Sequence, residues 1–490
     1  MQFNLASKLK FGLIFLTQSV AAQGFFGLQN SNYGGIHTAV TNPSLITMMD
    51  YQRSANISTI GFSAENNYVS LETPFTAWQL IRGKVPQQYK KADGSNGEGS
   101  IDWQSSWLKE DRNGENINAN LNLEYRGPSY ANHYGRLIWG LGIRTKYTAN
   151  LDGITPEMIG WAKNLIDSQS INNINQISAQ KFRVFVNSYQ EYSGLLAIRI
   201  IDNAKVKLGI GTNLKLILGN GNFKLQNSGV MLNVKGIDSI GISGGQMQVS
   251  YTENNLFQQL SGGVLAGSLP RFTDISGVGY GFDLGFTLLL GDNMTKTKKD
   301  RSKVKDYRMK IAAALLDLGR IGYSNKNQGF IIDGSKNFSI PVQTPEFILA
   351  ASKGVNSIVD YTKEKAIEDG AYINQPEEVK ILLPTTLQLQ FDYQVVPMFN
   401  VAAQLTQALD FNNPYQIQPN SSLVVVPRFE HAWFEFSAPI SLYNNYRSFG
   451  FGGFLRLGPV FLGTDNIIKS INPSKLQGVN FYFGISTLLR

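Results

Sequence analysis

The sequence predicts an all-β protein: a transmembrane antiparallel β-barrel of fourteen strands, with sixteen strands as the alternative and with partly helical outer loops. Three observations lead to this fold class. Apolar and polar residues alternate in many segments. The 48 glycines, 11% aromatic residues and only 16% charged residues favour strands over helices. Long and short connections between the predicted strands also alternate along the chain, as they do in outer-membrane barrels.

The alternation is clearest in residues 117–125, INANLNLEY, where Ile117, Ala119 and Leu121 share one face and asparagines occupy the other. Residues 205–218, 387–395 and 479–489 repeat it. A soluble sandwich would also alternate, but several segments are long enough for a tilted membrane strand. In a barrel the following polar residues would face the interior: Asn118, Asn120, Asn122, Glu124, Lys207, Asn213, Lys215, Gln388, Gln390, Asp392 and Glu435.

Those polar residues predict either a lumen that is hydrated or filled by a polar plug, or side chains that satisfy one another. We place the strands at 54–71, 116–128, 136–149, 181–201, 204–218, 276–290, 307–323, 383–395, 398–408, 420–428, 431–440, 447–457, 459–465 and 478–489. Residues 222–253 decide between the two strand counts, because they form either two more spanning strands or an outer hairpin.

The predicted connections fall into two groups. The outward ones are 72–115, 150–180, 219–275, 324–382, 409–419, 441–446 and 466–477. The inward ones are short, 129–135 among them, except for residues 291–306. That inward turn carries Lys296, Lys298, Lys299, Arg301, Lys303 and Lys305. It is either a solvated charged turn or a periplasmic docking patch for an acidic partner or lipid headgroups.

Two outer loops should be partly helical. Residues 155–166, TPEMIGWAKNLI, and 344–361, TPEFILAASKGVNSIVDY, both open with a Thr cap followed by Pro in the first turn. Both have apolar faces, which must pack on the barrel mouth or on a protein partner.

The N-terminus predicts export. Residues 1–22 show two lysines, a short apolar run and a small-residue cleavage site, which is the order of a signal peptide. The run is shorter than the about 20 residues of a spanning helix. The chain has no cysteine, so disulfides and thiolate metal sites are excluded. The net charge of +8 is too mild to argue for a nucleic-acid partner.

Catalytic and metal motifs are weak or missing in the sequence. Residues 241–245, GISGG, match the G-x-S-x-G pattern around Ser243, but the pattern needs a helix afterwards and the next residues read as a strand. His37, His133 and His431 lack metal-ligand spacing. We therefore expect no catalytic residue, no metal and no cofactor, and a protein that is not an enzyme.

The order of these features, with Asn42-Pro43-Ser44 before the first strand, resembles the FadL-like superfamily of outer-membrane proteins, where Asn-Pro-Ala stands at this place. Residues 435–442, EFSAPISL, and 453–467, GFLRLGPVFLGTDNI, are similar to a branch common in the Bacteroidota. That branch also contains the PorV-type subunit of type IX secretion.

The resemblance implies a fourteen-stranded barrel whose N-terminal segment, here 23–50, folds into the lumen as a plug ahead of the barrel, 51–490. It also implies two functions in the outer membrane of a Gram-negative bacterium. FadL-type members pass hydrophobic small molecules through a side opening, and PorV-type members are partner subunits for secreted proteins. Ser44 in place of Ala and the large outer loops depart from the transporter pattern.

Within the plug segment, SNYGGIHTAVTNPSLITMMD, we expect a gate formed by Gly34, Gly35, Asn42, Pro43 and Ser44. Glycines allow positive φ and close approach to the wall. Pro43 restricts Asn42 to an extended conformation, and the Asn42 side chain can bond the neighbouring backbone.

Overall fold

The computed structural model describes residues 24–49, 51–75, 79, 82–91, 101–102, 104–110, 116–158, 181–235, 239–252, 274–292, 294, 307–323, 327–342, 344–353, 355–374, 379–411, 413, 415–467 and 478–489. The predicted signal peptide, residues 1–22, lies outside this set. So do the six basic residues predicted in the turn at 291–306 and most of the predicted helix at 155–166.

Fourteen strands form the barrel. In chain order they are β1 (Arg53–Asn66), β2 (Ile117–Arg126 and Ser129–Tyr134), β3 (Leu137–Ile154), β4 (Phe182–Asp202), β5 (Val206–Ser228), β6 (Gly277–Leu290), β7 (Met309–Tyr323), β8 (Val379–Leu382 and Thr386–Val396), β9 (Phe399–Ala408), β10 (Ser422–Glu430), β11 (Phe434–Ser437 and Ile440–Tyr443), β12 (Ser448–Phe451 and Gly453–Leu457), β13 (Val460–Thr464) and β14 (Gly478–Leu489).

Each barrel strand pairs antiparallel with its neighbours in the chain, and β1 pairs with β14 to close the cylinder. The closing register runs from Arg53 opposite Leu489 to Glu65 opposite Gly478. This confirms the predicted fold class and the count of fourteen. We call the end with the short connections the turn end and the opposite end the loop end.

The alternative of sixteen strands is wrong, because the extra strands lie beyond the barrel at the loop end. Strand Gln246–Thr252 pairs on one side with only the last part of β5, from Phe223 to Ser228, and on the other side with Asn327–Asp333. Strands Met231–Lys235 and Ser239–Ser243 form a hairpin, which belongs with Phe338–Pro341 to a separate three-stranded sheet.

The predicted turn at 129–135 is wrong, since β2 continues through Ser129–Tyr134. Gly127 and Pro128 interrupt the strand, and the register against β3 shifts by one residue between Arg126 opposite Arg144 and Tyr130 opposite Leu141. The shift moves the inward side chains from even to odd positions, so the alternation in the sequence is broken after Arg126.

The predicted first strand, 54–71, is also too long. β1 ends at Asn66, and Val69–Leu71 pairs separately with Leu108–Glu110 above the barrel.

A belt of large apolar side chains covers the outside of the barrel at alternate positions. Leu141 is 63% exposed, Tyr280 60% and Phe436 56%. Comparable residues recur on the other barrel strands. Exposure on this scale would be costly in water and is typical of a surface that faces lipid.

A cap stands over the loop end. It contains strand Asn327–Asp333, the three-stranded sheet, and helices α2 (Pro345–Lys353) and α3 (Val355–Glu368), which fall in the second loop predicted to be helical. Phe330, Ile332 and Phe338 lie in its buried apolar core. In the described part of the chain, every helix is too short or too polar to span a membrane.

Candidate functional site

The N-terminal segment 24–49 crosses the lumen near the turn end, and we call it the plug. It contains helix α1 (Phe26–Asn30) and two 3-10 helices, Gly35–Val40 and Leu45–Met48. These helices contact strands on all sides of the cylinder, namely β1, β2, β4, β5, β6, β10, β12 and β14. The plug is therefore surrounded by the wall, and most of its residues are buried.

The Asn42-Pro43-Ser44 motif docks on β6. Asn42 Oδ1 accepts hydrogen bonds from the backbone N–H of Ser44 (2.9 Å) and from its hydroxyl (2.6 Å). Asn42 Nδ2 donates to the carbonyl oxygens of Phe286 and Ala313, and Ser44 Oγ lies 2.6 Å from Thr287 Oγ1. The motif thus forms an Asx-type turn whose outer side is bonded to the wall.

Close contact at the plug depends on glycine on both sides of the interface. Gly35 has φ +59°, and a Cβ there would collide with Ser54 Oγ. On the wall, a Cβ at Gly211 would lie 2.6 Å from the carbonyl oxygen of Pro43. Gly34 packs beneath the carbonyl of Leu28, where a Cβ would be 2.8 Å away. Gly35 and the Asn42-Pro43-Ser44 motif therefore contact the wall at separate places, whereas Gly34 packs within the plug.

Above the plug the lumen holds a network of buried ion pairs. Lys215 Nζ lies 2.6 Å from Asp283 Oδ1 and 2.5 Å from Asp317 Oδ1. Arg144 Nη2 lies 2.5 Å from Glu191 Oε2. Four strands and the short bulge at Asp317 bring these groups together, and their opposite charges compensate one another inside the barrel.

A second network connects the plug to the opposite wall. Arg428, which is fully buried, pairs with Asp392 at 2.5 Å and with Glu430 at 2.6 Å. The Tyr307 hydroxyl donates to Asp392 Oδ2. Asn32 of the plug donates its backbone N–H and its side-chain amide to the two oxygens of Glu430.

Two ionisable groups at the edges of the plug have shifted pKa values. Burial, together with the charge of Arg126, lowers the pKa of His37 to about 3. Asp465 follows β13 and accepts the backbone N–H groups of Gly24 and Phe26, at 3.1 Å and 2.9 Å. Burial raises the pKa of Asp465 to about 7, although those hydrogen bonds oppose the shift.

The interruption of β2 breaks the backbone hydrogen-bond ladder of the wall beside the plug. Pro128 has no N–H to donate, and the Asn56 amide bonds the carbonyl oxygens of Arg126 and Gly127 instead. Small residues follow on the inner face, where a Cβ at Gly142 would lie 2.9 Å from Ser193 Oγ. A cavity of about 40 Å³ lies here, lined by Leu141 and Ile143 and by Val40 of the plug.

Comparison with known proteins identifies a family. Residues 43–465 match a family described as "Family of unknown function (DUF5723)". The chain belongs to that family. No curated protein matches the sequence. Among solved structures, the Pseudomonas putida toluene transporter TodX is similar with a TM-score of 0.42 and 10% identity, over 94% of this chain and 95% of that one. A Pseudomonas aeruginosa FadL homologue has a TM-score of 0.20 and 9% identity, over 92% of each chain.

In this DUF5723 protein the sequence-predicted lumen residues take part in several different contacts. Asn213 donates to the carbonyl of Ala39, and Gln390 donates to Asn30, so both hold the plug. Lys215 and Asp392 belong to the two ion-pair networks, and Glu124 and Glu435 pair with Arg126 and Arg456. Lys207 lies near the turns, opposite Asp202. The other residues lie toward the loop end: Asn118, Asn120, Asn122 and Gln388. Ser243 ends a strand and is followed by another strand, so no nucleophile elbow forms there.

Several residues of the site were missed from the sequence. Asp283 lies at an inward position of β6, and its charge within the run GYGFDLGF is a detectable signal. Arg428 is the last residue of the predicted strand 420–428 and lies on its polar face. Asp465 is the last residue of the predicted strand 459–465 but follows β13 in the structure, and nothing in its local sequence indicates that it binds the backbone of the plug.

Proposed function

We propose that this protein is a channel in the outer membrane of a Gram-negative bacterium that passes small hydrophobic molecules. The observation that carries the proposal is the cavity at the β2 interruption, because it joins the lipid-facing surface to the plug. Leu141 and Ile143 line it at the outer wall, and Ile36, Val40 and Leu195 line it beside the plug. Charged side chains complete the lining toward the lumen, namely Arg126, Arg144, Glu191, Lys215 and Asp283. A hydrophobic molecule moving from the membrane along this route meets apolar side chains first.

A second, polar cavity lies in the lumen above the plug. Its volume is about 200 Å³, and it is lined by Asn120, Asn122, Glu124, Lys146 and Asp317 with other polar groups. An apolar molecule would have to displace water from these groups without replacing their hydrogen bonds. In the proposed mechanism it enters through the wall, and the plug segment with Gly34, Gly35, Asn42, Pro43 and Ser44 moves to release it.

Uptake of N-phenyl-1-naphthylamine by intact cells that carry the protein tests this route. Gly142→Val would fill the space beside Ser193, and we expect uptake to fall at least tenfold. Gly194→Val is the matched control, because a Cβ there meets no described atom within 4 Å. Equal uptake by both variants, at equal amounts of folded protein in the membrane, would overturn the proposal.

A second candidate function is that of an accessory subunit that binds a protein partner at the cap, in the manner of the PorV-type proteins of the Bacteroidota. Ile348 and Leu349 on α2 are 57% and 54% exposed, and Ile367 on α3 is 52% exposed. A stoichiometric partner that copurifies from native membranes and is lost when residues 344–361 are removed would favour this function. Purification without a partner, together with normal uptake, would exclude it.

A further inference from the structure

A further cavity lies at the turn end, between the plug and the wall. Its volume is about 500 Å³, which is within the range of small-molecule sites. Tyr33 of the plug, Tyr51 before β1 and Trp433 between β10 and β11 bring three aromatic side chains to it. Trp433 is 72% exposed, so the cavity opens outward at this rim.

The shape of this cavity is held by hydrogen bonds. Arg456 donates to the carbonyl oxygens of His431 (2.7 Å), Ala432 (3.1 Å) and Gly458 (3.4 Å), and so joins the two turns that form the rim. Its guanidinium also lies 4.6 Å from the centre of the Tyr33 ring. The backbone N–H of Gly458 donates to the carbonyl of Trp433 at 2.7 Å. The cavity is therefore largely formed before any ligand arrives.

The charge of the lining is compensated. Among the described residues around this cavity, Arg456 is the only Lys, Arg, Asp or Glu. Its Nε lies 3.3 Å from Glu435 Oε2, and three more of its five N–H groups donate to the carbonyls of His431, Ala432 and Gly458. Because Glu435 and the three carbonyls already compensate the charge of Arg456, a neutral ligand is favoured over a charged one.

The His431 ring offers a donor to a polar group of the ligand. His431 Nδ1 accepts the backbone N–H of Trp433 at 3.3 Å. In the tautomer that this hydrogen bond selects, Nε2 carries the ring hydrogen. The ring itself packs 5.1 Å from that of Phe434, centre to centre. A ligand with one acceptor oxygen beside an aromatic ring would match this donor and the aromatic lining.

We propose that the turn-end cavity is a binding site for small neutral aromatic molecules that carry one hydrogen-bond acceptor, such as aryl ketones. This site goes beyond the proposed function, since binding there requires neither passage through the wall nor release of the plug.

The test uses the whole protein in lipid nanodiscs and 4-fluoroacetophenone as the probe, followed by fluorine NMR. Subtracting the signal of empty nanodiscs isolates saturable binding, which we expect at one site per chain. His431→Phe keeps the ring and removes the donor, and it should weaken binding about tenfold, as expected for one hydrogen bond. Fluorobenzene should bind the wild-type protein about as weakly as the ketone binds this variant.

Trp433→Ala should abolish saturable binding, whereas Trp139→Ala, on the lipid-facing wall, should leave it unchanged. Equal binding by these two variants would mean that Trp433 is only an interfacial anchor and would overturn the site. The Ser44→Cys/Thr287→Cys protein, in which a disulfide holds the plug, should bind the ketone normally. Ketone binding therefore tests this site, and uptake tests the channel, independently of each other.

Discussion

Part of the docking of the plug comes from wall side chains that bond its backbone. Asp465 accepts the N–H groups of Gly24 and Phe26, and Asn213 donates to the carbonyl of Ala39. Arg199 Nε donates to the carbonyl of Thr47 at 2.8 Å. Such contacts do not depend on which side chains the plug carries. Docking can therefore be tuned by changing single residues of the wall.

His37 and Asp465 should make docking of the plug depend on pH in opposite directions. When the plug is released, His37 of the plug and Asp465 of the wall both meet water and regain ordinary pKa values, 6.5 and 3.8. Below pH 6.5 the released His37 binds a proton that the docked one does not, so docking weakens as pH falls. Between pH 7 and 3.8 the docked Asp465 binds the extra proton, so docking strengthens as pH falls.

We expect the two effects to cancel in the wild-type protein between about pH 4 and 6.5. In His37→Gln only Asp465 remains, and docking should tighten by up to about tenfold per pH unit as pH falls from 7. In Asp465→Asn docking should weaken by a similar factor as pH falls below 6.5. The other charges facing these groups, Arg126 and Glu124 at His37 and Glu65 at Asp465, are the same in both variants.

The measurement is the ratio of docked to released plug, from fluorine NMR of a trifluoromethyl label on Val40→Cys. A urea concentration that releases half of the plug at neutral pH keeps both states visible. The chain has no other cysteine, so the label is unique. If the ratio of docked to released plug changed with pH in the same direction in both variants, the roles given to His37 and Asp465 would be wrong.

Arg428 should be one of the most important residues for the stability of the barrel. Arg428→Met leaves the buried carboxylates of Asp392 and Glu430 without their closest cation, which typically costs about 3–5 kcal/mol. Urea unfolding, followed by heat-modifiable electrophoretic mobility, measures the free energy. Arg320→Met, at an exposed position of β7, is the control and should change it by less than about 0.5 kcal/mol. A loss below about 1 kcal/mol at Arg428 would mean that the network is not needed for stability.

Among the elements, the strands were predicted best because their signal is local. The period of two places β14 at 478–489, as observed, and most other strand ends within a few residues. The end of β2 was predicted wrongly because one bulge inverts the alternation. A single strand then has the sequence pattern of a strand followed by a turn. The ion pair between Lys215 and Asp283 was missed for another reason. Alternation assigns a residue to a face but does not say which strand lies opposite it.

The cap should unfold independently of the barrel. The Thr344 hydroxyl caps α2 by accepting the N–H of Phe347 at 3.2 Å and lies 3.1 Å from the Tyr361 hydroxyl on α3. Thr344→Val should destabilise the cap by about 1 kcal/mol, as loss of an N-cap does. Limited proteolysis should then cut the cap several times faster.

Thr362→Val is the matched control for that variant, because the Thr362 hydroxyl only bonds the preceding turn at Ile358. It should change proteolysis little. The heat-modifiable mobility of the barrel should stay the same in both variants. A barrel that unfolds together with the cap would show that the two are one cooperative unit.

At the scale of the molecule, the barrel is taller on one side. β4 and β5 have 21 and 23 residues, whereas β9 and β10 have 10 and 9. About 9–11 residues cross a membrane, so the tall side continues past the lipid and carries the sheet of the cap. The plug and the β2 interruption lie toward the opposite, turn end. The proposed route for hydrophobic molecules is therefore separate from the cap.

The central claim is that the plug must move for a hydrophobic molecule to pass, and a reversible lock tests it most directly. Ser44→Cys/Thr287→Cys places two thiols where the hydroxyl oxygens are 2.6 Å apart, in a chain without other cysteines. Thr406→Cys/Ser422→Cys joins the paired strands β9 and β10 and leaves the plug free. We predict that N-phenyl-1-naphthylamine uptake is lost only in the plug-locked protein and returns when a reductant opens the disulfide. Unchanged uptake by the oxidised, plug-locked protein would contradict the account.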